Sequence, residues 1–273
     1  MGLRLGTAIE LDGFDAALLD AMTTQRARME KEFDGFTAAD WSAPTRCTEW
    51  NPQQTLIHVC GANLATTRVL RSGPDEKVAE NFDPNSSPGK YVEMRASDTP
   101  QETLDHFVDT NAAFFDAIAL VQSERPETKA NAVWGKPVDW RLLVTHMFWD
   151  AWMHERDIFV PRAEQPATTD AEERLALTYG VHIRGVFPHV FQRTLDEELA
   201  LAGRGGGRFT LHADPDAVLV TVDDEPAAPD ALAGDGGPVI DALAGRGDLA
   251  TALDGPTERV EALAGLGEFL RAG

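Results

Sequence analysis

Residues Trp140 to Asp157 read Trp-Arg-Leu-Leu-Val-Thr-His-Met-Phe-Trp-Asp-Ala-Trp-Met-His-Glu-Arg-Asp, a stretch without glycine or proline and rich in leucine, methionine and tryptophan. These features predict an α-helix. In a helix, His146, Asp150 and His154 recur every four residues and lie on one face. Side chains four residues apart have Cβ atoms about 5 to 6 Å apart, so an imidazole and a carboxylate at this spacing can bind one divalent metal. A third protein ligand then has to come from another helix.

Three more helices are predicted before this one. The first, residues 10–36, places apolar residues at helical spacing among charged ones. The second, 51–71, opens with an asparagine suited to the N-cap and a proline in the first turn. The third, 99–122, opens with the capping box Thr-Pro-Gln-Glu. With the fourth helix, from Pro137 to about Val160, these segments predict a four-helix bundle, a fold whose interior commonly holds metal sites.

The rest of the chain predicts loops and a smaller α+β region. Residues 73–98 are polar and contain Asp-Pro-Asn-Ser-Ser-Pro-Gly, which is typical of a surface loop. Residues 161–169 resemble a linker, and Asp170 is placed to cap a helix to about Ala202 that Pro188 should kink or divide. Two strands and two short closing helices are predicted at 208–213, 217–222, 239–244 and 256–271.

Length and residue distribution predict two domains. The 273 residues exceed the roughly 100 to 200 that are usual for one domain. All six tryptophans and both cysteines lie in the first 152 residues, whereas the last 70 or so are rich in glycine, alanine and aspartate. We therefore expect a mainly α protein with a bundle domain over residues 1–165 and a small α+β domain over residues 166–273.

His58 is the candidate third ligand. It lies in the apolar helical stretch Leu-Ile-His-Val-Cys of residues 56–60, where a lone histidine is usually a packed core residue. Asp150 and His154 alone are also compatible with a hydrogen-bonded pair on a polar helix face. Together the three form a two-histidine, one-carboxylate set with open coordination positions, which zinc, nickel and ferrous iron all accept.

Three neighbouring residues have alternative roles. His146 is either a fourth ligand, a group that supports the ligands, or a packed histidine. Asp157 is either an acceptor for the second N–H of His154 or a surface carboxylate. Cys60 points to a different side of its helix from His58, which favours core packing.

Charge and composition exclude several classes of function. Asp and Glu number 45 against 24 Lys and Arg, for a net charge of -21, and no basic run is present. Nucleic acid and anionic membranes are therefore not expected partners. No apolar run reaches the roughly 18 residues of a membrane span and no signal peptide pattern is present, so we expect a cytoplasmic protein. Two cysteines without a CxxC spacing predict free thiols, and the excess of arginine over lysine points to a high-GC genome.

Several of these residues resemble a known family. Trp50, the helix with His58, and the pattern Asp150-x-x-x-His154-x-x-Asp157 resemble the metal-binding pattern of the mycothiol-dependent maleylpyruvate isomerase family. The tail Gly237-Pro-Val-Ile-Asp-Ala-Leu-Ala-Gly-Arg246-Gly-Asp resembles the closing segment of that family. The resemblance implies a DinB-like four-helix bundle followed by a smaller domain similar to sterol carrier proteins.

The resemblance also implies cofactors and one more residue. It implies a divalent metal, most often zinc, that binds the low-molecular-weight thiol mycothiol as a thiolate. By resemblance only, Arg246 would hold a carboxylate of the substrate, and its alternative is a solvated helix end. One departure concerns Asp150, because the family usually has a glutamate there, which is longer by one methylene.

Three functions are compatible with these features. The first is a metal- and mycothiol-dependent isomerase or S-transferase that acts on a small electrophile, as a monomer or homodimer. The second is a metal-free module of the same fold that binds an apolar small molecule in a tryptophan-rich cavity. The third is acid–base chemistry without metal, through Asp150 or a histidine.

Overall fold

The computed structural model describes residues 2–5, 14–72, 87–131 and 137–264. The chain divides into two compact units, which we call the bundle unit (Met22–Ala167) and the sheet unit (Met1–Ala21 with Thr168–Ala272). The predicted fold class is confirmed, because long helices precede a smaller region of mixed helices and strands. The sequence-based limits of 1–165 and 166–273 differ from this division at the amino terminus, where residues 2–5 form a strand.

The described residues of the bundle unit form four long helices and a few short elements. Helices α3, α5 and α6 and the part of α1 from Met22 onward form the four-helix bundle. A two-stranded antiparallel sheet, β2 with β3, precedes α6. The bounds are α1 Phe14–Asp34, α2 Ala38–Trp41, α3 Pro52–Ser72, α4 Ser87–Met94, α5 Pro100–Glu124, β2 Lys129–Asn131, β3 Pro137–Asp139 and α6 Trp140–Phe159.

The caps predicted at Asn51 and Thr99 are confirmed, whereas the predicted start of the first helix at residue 10 lies outside the described residues. The Thr99 hydroxyl accepts from the backbone of Glu102, whose carboxylate accepts from the backbone of Thr99 at 2.7 Å. The Asn51 side chain accepts from the backbone of Gln54 at 2.9 Å, and the Gln54 side chain accepts from the backbone of Asn51 at 3.0 Å. These bonds satisfy N–H groups that a helix leaves without partners at its first turn.

The bundle has an apolar core and a partly buried ion pair. Burial of apolar surface stabilises the bundle by about 25 cal/mol per Å², and Cys60 is part of this core, as predicted. Arg28 Nε and Nη2 donate to the two carboxylate oxygens of the fully buried Glu155 at 2.7 and 2.9 Å, which ties α1 to α6. The core cluster contains Met29, Phe33, Trp41, Leu56, Val59, Cys60, Leu104, Phe107, Ala151, Ile158 and Phe159.

The sheet unit is one six-stranded sheet with helices. The strand order is β1-β6-β5-β4-β7-β8; within the described residues β4 pairs with β7 in parallel, and the other neighbours pair antiparallel. Helix α7 (Asp170–Val190) packs on β5 and β6, where Gly185 permits close approach, because a Cβ there would lie 2.6 Å from Val218 Cγ1. The strands are β1 Gly2–Leu5, β4 Leu195–Ala202, β5 Gly207–Ala213, β6 Val218–Asp223, β7 Leu232–Asp235 and β8 Leu253–Asp254, and the helices that follow α7 are α8 Gly236–Leu243, α9 Leu249–Ala252 and α10 Thr257–Ala264.

The sequence-based elements of this unit are partly confirmed. The strands predicted at 208–213 and 217–222 correspond to β5 and β6, and the helix predicted at 239–244 corresponds to α8. The helix predicted at 256–271 corresponds to α10, and its residues 265–271 lie outside the described residues.

The helix predicted from Asp170 to about Ala202, with a kink or break at Pro188, begins at Asp170 but ends at Val190, so the prediction is wrong for residues 195–202. Pro188 lies in the last turn of α7, and Gln192 beyond it has a φ of 57°, so the chain leaves the helix there. Residues 195–202 form β4, in which buried and more exposed residues alternate. The period-two spacing of its leucines is the signal of a strand with one buried face.

The prediction of a loop over 73–98 is wrong for residues 87–94, which form α4. Residues 73–86 lie outside the described residues. Tyr91 of α4 packs against Gly61 of α3, where a Cβ would come 2.6 Å from the ring. This tertiary contact favours a helix that the polar local sequence does not indicate. Among the described helices, none has the length and apolar character needed to cross a membrane.

Candidate metal centre

Two helices of the bundle bring the three predicted ligands together. His58 lies on α3, and Asp150 and His154 lie one turn apart on α6. The two oxygens of Asp150 each face one histidine: Oδ2 lies 3.5 Å from His58 Nε2, and Oδ1 lies 3.6 Å from His154 Nε2. One donor atom from each residue lies within 4.8 Å of the others.

These distances suit a metal site. Metal bonds of 2.0 to 2.1 Å in tetrahedral geometry place neighbouring ligand atoms about 3.3 Å apart, close to the separations observed. Asp150 therefore reaches both histidines despite its short side chain. The side chains are 14% exposed for His58, 20% for Asp150 and 10% for His154, so the cluster is not fully sealed from solvent.

An aromatic ring borders this cluster. Trp50 lies just before α3, and its ring centroid is 5.0 Å from that of His58 and 6.4 Å from that of His154. The two imidazoles meet edge to face, with centroids 4.9 Å apart. Trp50 thus covers one side of the histidine pair and restricts the orientation of both rings.

The electrostatics of the cluster favour a cation. Burial alone raises the pKa of the Asp150 carboxyl, but the charges of His58 and His154 and the hydrogen bond with His58 hold that pKa well below its ordinary value. Burial alone lowers the pKa of His154, but Asp150, Asp157 and Cys47 raise it well above its ordinary value. Positive charge, whether a proton or a metal ion, is therefore stabilised between Asp150 and its two histidines.

A second group of side chains lies on the other side of the His154 ring. Asp157 Oδ2 is 3.3 Å from His154 Nδ1, and the Cys47 thiol donates to the same oxygen at 3.0 Å. Arg46 Nε donates to Asp157 Oδ1 at 3.0 Å, and the Arg46 backbone N–H donates to the Asp157 carbonyl at 2.9 Å. Cys47, His154 and Asp157 are all buried, and their donor atoms also lie within 4.8 Å of one another.

The structure places the other predicted residues as follows. His146 lies on the same face of α6 one turn before Asp150, its ring stacks on Trp149, and burial lowers its pKa. Neither group of converging donor atoms among the described residues includes His146. Arg246 is half-buried in the sheet unit after α8, and its Nη1 donates to the carbonyl of Ala244 at 3.2 Å.

Sequence reasoning missed Arg46 and Cys47. Both lie in the tight stretch before Trp50, and only the path of this loop brings them to the end of α6. The Thr45 hydroxyl lies 2.9 Å from the carbonyl of Cys47 and 2.8 Å from that of Trp50, which fixes the loop. Residues 43–50 show neither helical nor strand periodicity, so the arrangement could not be derived from spacing.

A known protein family and two solved structures resemble this chain. The family model of the mycothiol maleylpyruvate isomerase N-terminal domain matches residues 22–159, just over half of the chain. Among solved structures, the crystal structure of the mycothiol-dependent maleylpyruvate isomerase matches with a TM-score of 0.59 at 11% identity, and that of a mutant of this enzyme matches with 0.59 at 10% identity. Each match covers 88% of this chain and 91% of the other, which shows a shared fold. Comparison with curated protein sequences finds no match.

Proposed function

This chain belongs to the mycothiol maleylpyruvate isomerase family, and from that premise we propose that it is a metal- and mycothiol-dependent isomerase or S-transferase that acts on a small electrophilic substrate. The observation that carries this proposal is the convergence of donor atoms from His58, Asp150 and His154 within 4.8 Å, inside the matched segment. We propose these three residues as the metal ligands and zinc as the metal.

Each ligand has a distinct part in holding the metal. His58 and His154 supply neutral nitrogen donors, and Asp150 supplies a negative charge that offsets part of the charge of the ion. Because Asp150 presents one oxygen to each histidine, it keeps both imidazoles turned toward the same position. The ring of Trp50 shields one side of that position from water.

The chemistry requires an activated thiol. When bound, a divalent metal lowers the pKa of a thiol and holds it as the thiolate. Addition of the thiolate to one carbon of a cis alkene forms a C–S bond and leaves the electron pair on the other carbon. Rotation about the resulting single bond and expulsion of the thiolate give the trans alkene with no net change in atoms. In a transferase, a proton neutralises the carbon and the C–S bond remains.

Arg246 is proposed to bind a carboxylate of the substrate. Its guanidinium offers five N–H donors in a fixed planar arrangement that suits a carboxylate. The half-buried position of the residue leaves part of the side chain accessible.

Elemental analysis tests the metal proposal. We expect purified protein, prepared without added metal or chelator, to carry close to one divalent ion per chain and Asp150→Ala to carry none. Asp116→Ala, which removes an exposed carboxylate of α5, should retain the metal of the wild type. A wild-type protein without metal even after incubation with zinc would contradict the proposal and favour the metal-free binding module.

An activity assay with mycothiol and a cis-alkene diacid then tests the reaction. We expect thiol-dependent turnover that chelation abolishes and zinc restores. In the same assay, Arg246→Ala should raise KM for a diacid more than it lowers kcat. Turnover that persists after chelation would indicate acid–base chemistry without metal.

A further inference from the structure

The two ring nitrogens of His154 lie in different surroundings. Nε2 faces Asp150 at 3.6 Å, on the side where His58 also lies, whereas Nδ1 faces Asp157 at 3.3 Å and the Cys47 sulfur at 3.5 Å. The ring is therefore held on both edges. What lies at Nδ1 decides which nitrogen carries the proton and which can bind a metal.

Asp157 is built as a hydrogen-bond acceptor. Its side chain is fully buried, and its charge is compensated by Arg46, which donates Nε at 3.0 Å to Oδ1. The carboxylate form of an aspartate has two oxygens that accept hydrogen bonds, and both oxygens of Asp157 face donors here. Its other oxygen, Oδ2, receives the Cys47 thiol and faces His154 Nδ1.

From this geometry we propose that Cys47, with Asp157 and Arg46, positions His154 for metal binding. Asp157 keeps the proton on Nδ1 and thereby leaves the Nε2 lone pair for the metal. Cys47 donates to the same oxygen of Asp157 and fixes the carboxylate in the plane in which it meets the imidazole. The proposal rests on the proposed function, because it requires a metal at His58, Asp150 and His154.

Cys47 acts here as a donor rather than as a metal ligand. No group of converging donor atoms among the described residues contains Cys47 together with His58 or Asp150. Its sulfur lies at the Nδ1 edge, and the lone pairs of Nδ1 and Nε2 point away from each other. A metal held instead by Cys47, His154 and Asp157 would lie beside the guanidinium of Arg46 and compete with it for Asp157, which disfavours a cation there.

Cobalt titration of the full-length protein tests the proposal, because cobalt(II) reports both affinity and ligand type. We expect Cys47→Ala to weaken cobalt binding by about 10-fold, the lower end of the 10- to 100-fold usual for residues that support a ligand. Cys47→Ser restores an O–H donor and should bind within about threefold of wild type. Cys60→Ser changes the other buried cysteine, which lies in the bundle core, and should leave affinity unchanged.

The outcomes separate this proposal from the proposed function. Wild-type binding of cobalt without a thiolate-to-cobalt charge-transfer band, together with weakened binding only in Cys47→Ala, supports the positioning role. A charge-transfer band that Cys47→Ser removes would overturn it, because Cys47 would then be a ligand. Equal affinity of Cys47→Ala and wild type would overturn the positioning role alone, and failure of the wild type to bind would overturn the metal proposal together with it. Unfolding of the metal-free variants in urea distinguishes a lost fold from a lost ligand position.

Discussion

The two units each bury a histidine in a long helix, yet in opposite electrostatic environments. His154 of the bundle unit is 8% exposed and has a carboxylate at each edge of its ring. His182 of the sheet unit is 0% exposed, and neither of its ring nitrogens has a hydrogen-bond partner in the part of the chain that the structure describes. Its ring stacks on that of Tyr179, with centroids 6.0 Å apart.

The difference appears in the protonation of the two rings. Burial acts alike on both and favours the neutral imidazole. Asp150 and Asp157 outweigh burial at His154 and raise its pKa, whereas burial, assisted by the charge of His189, lowers the pKa of His182 to about 3. Burial without a carboxylate therefore keeps the imidazole of His182 neutral. Carboxylates at both edges of the ring, as at His154, stabilise a positive charge there.

The half-buried Arg28 of the bundle unit and the buried Arg184 of the sheet unit also differ in their partners. Arg28 of the bundle unit pairs with both oxygens of Glu155. Arg184 of the sheet unit donates instead to the carbonyls of Ala242, at 3.2 Å, and Leu243 at the end of α8, and burial lowers its pKa to about 10. A cation at a helix carboxyl end offsets the partial negative charge there, but the lowered pKa shows that burial of the charged guanidinium outweighs this gain.

The largest expected effect concerns metal binding by the two histidines. His154→Ala removes a proposed ligand and should abolish near-stoichiometric zinc, whereas His182→Phe should bind zinc as tightly as the wild type. Zinc affinity measured by competition with a chromogenic chelator gives the comparison. Equal loss in both variants would mean that the effect arises from damage to the fold rather than from ligation.

The next effect concerns the paired charges of the bundle unit. Glu155→Ala leaves Arg28 without its carboxylate and should lower the free energy of unfolding by about 3 to 5 kcal/mol. Urea unfolding followed by tryptophan fluorescence measures this, because all six tryptophans lie between residues 41 and 152. As a control, Asp170→Ala breaks the pair with Arg204 on the surface, where the Asp170 side chain is 80% exposed, and should leave the unfolding midpoint unchanged.

The sequence was sufficient for those parts of the site that local rules determine. The caps at Asn51 and Thr99 involve only neighbouring residues, so they predict where two helices begin. The four-residue spacing of Asp150 and His154 likewise predicts that both lie on one face of a helix. Pairing with His58 followed from the expectation of a bundle. These ligands remain a proposal until the metal is measured.

The other features depend on contacts between distant parts of the chain. Cys47 and Arg46 meet Asp157 about 110 residues away, and no local pattern encodes that meeting. The strand β4 was mistaken for helix because Glu197, which is 8% exposed and paired with Arg259, interrupts the run of inward-facing leucines. His182 lies in a mostly apolar part of its helix. No nearby sequence feature indicates that its ring nitrogens have no hydrogen-bond partner among the described residues.

The smallest expected effect is the pH dependence of the free energy of unfolding that His182 causes. The pKa of His182 is about 3 in the folded protein and about 6.5 in the unfolded chain. Between these values the unfolded state binds more protons, so stability is complete above about pH 6.5 and is lost as the pH falls toward 3. From pH 7 to pH 5 the loss should be about 2 kcal/mol.

His182→Phe lacks this group and should show a correspondingly smaller fall between pH 7 and pH 5. Urea unfolding of the metal-free protein followed by far-ultraviolet circular dichroism is the appropriate measurement, since the sheet unit contains no tryptophan. His212→Gln is the matched control. Asp196 and Asp214 raise the pKa of His212 at the surface, so its removal should not reduce the loss of stability between pH 7 and pH 5. Parallel curves for wild type and His182→Phe would show that His182 takes up a proton in the folded state, which would place a partner beside it and remove the contrast with His154.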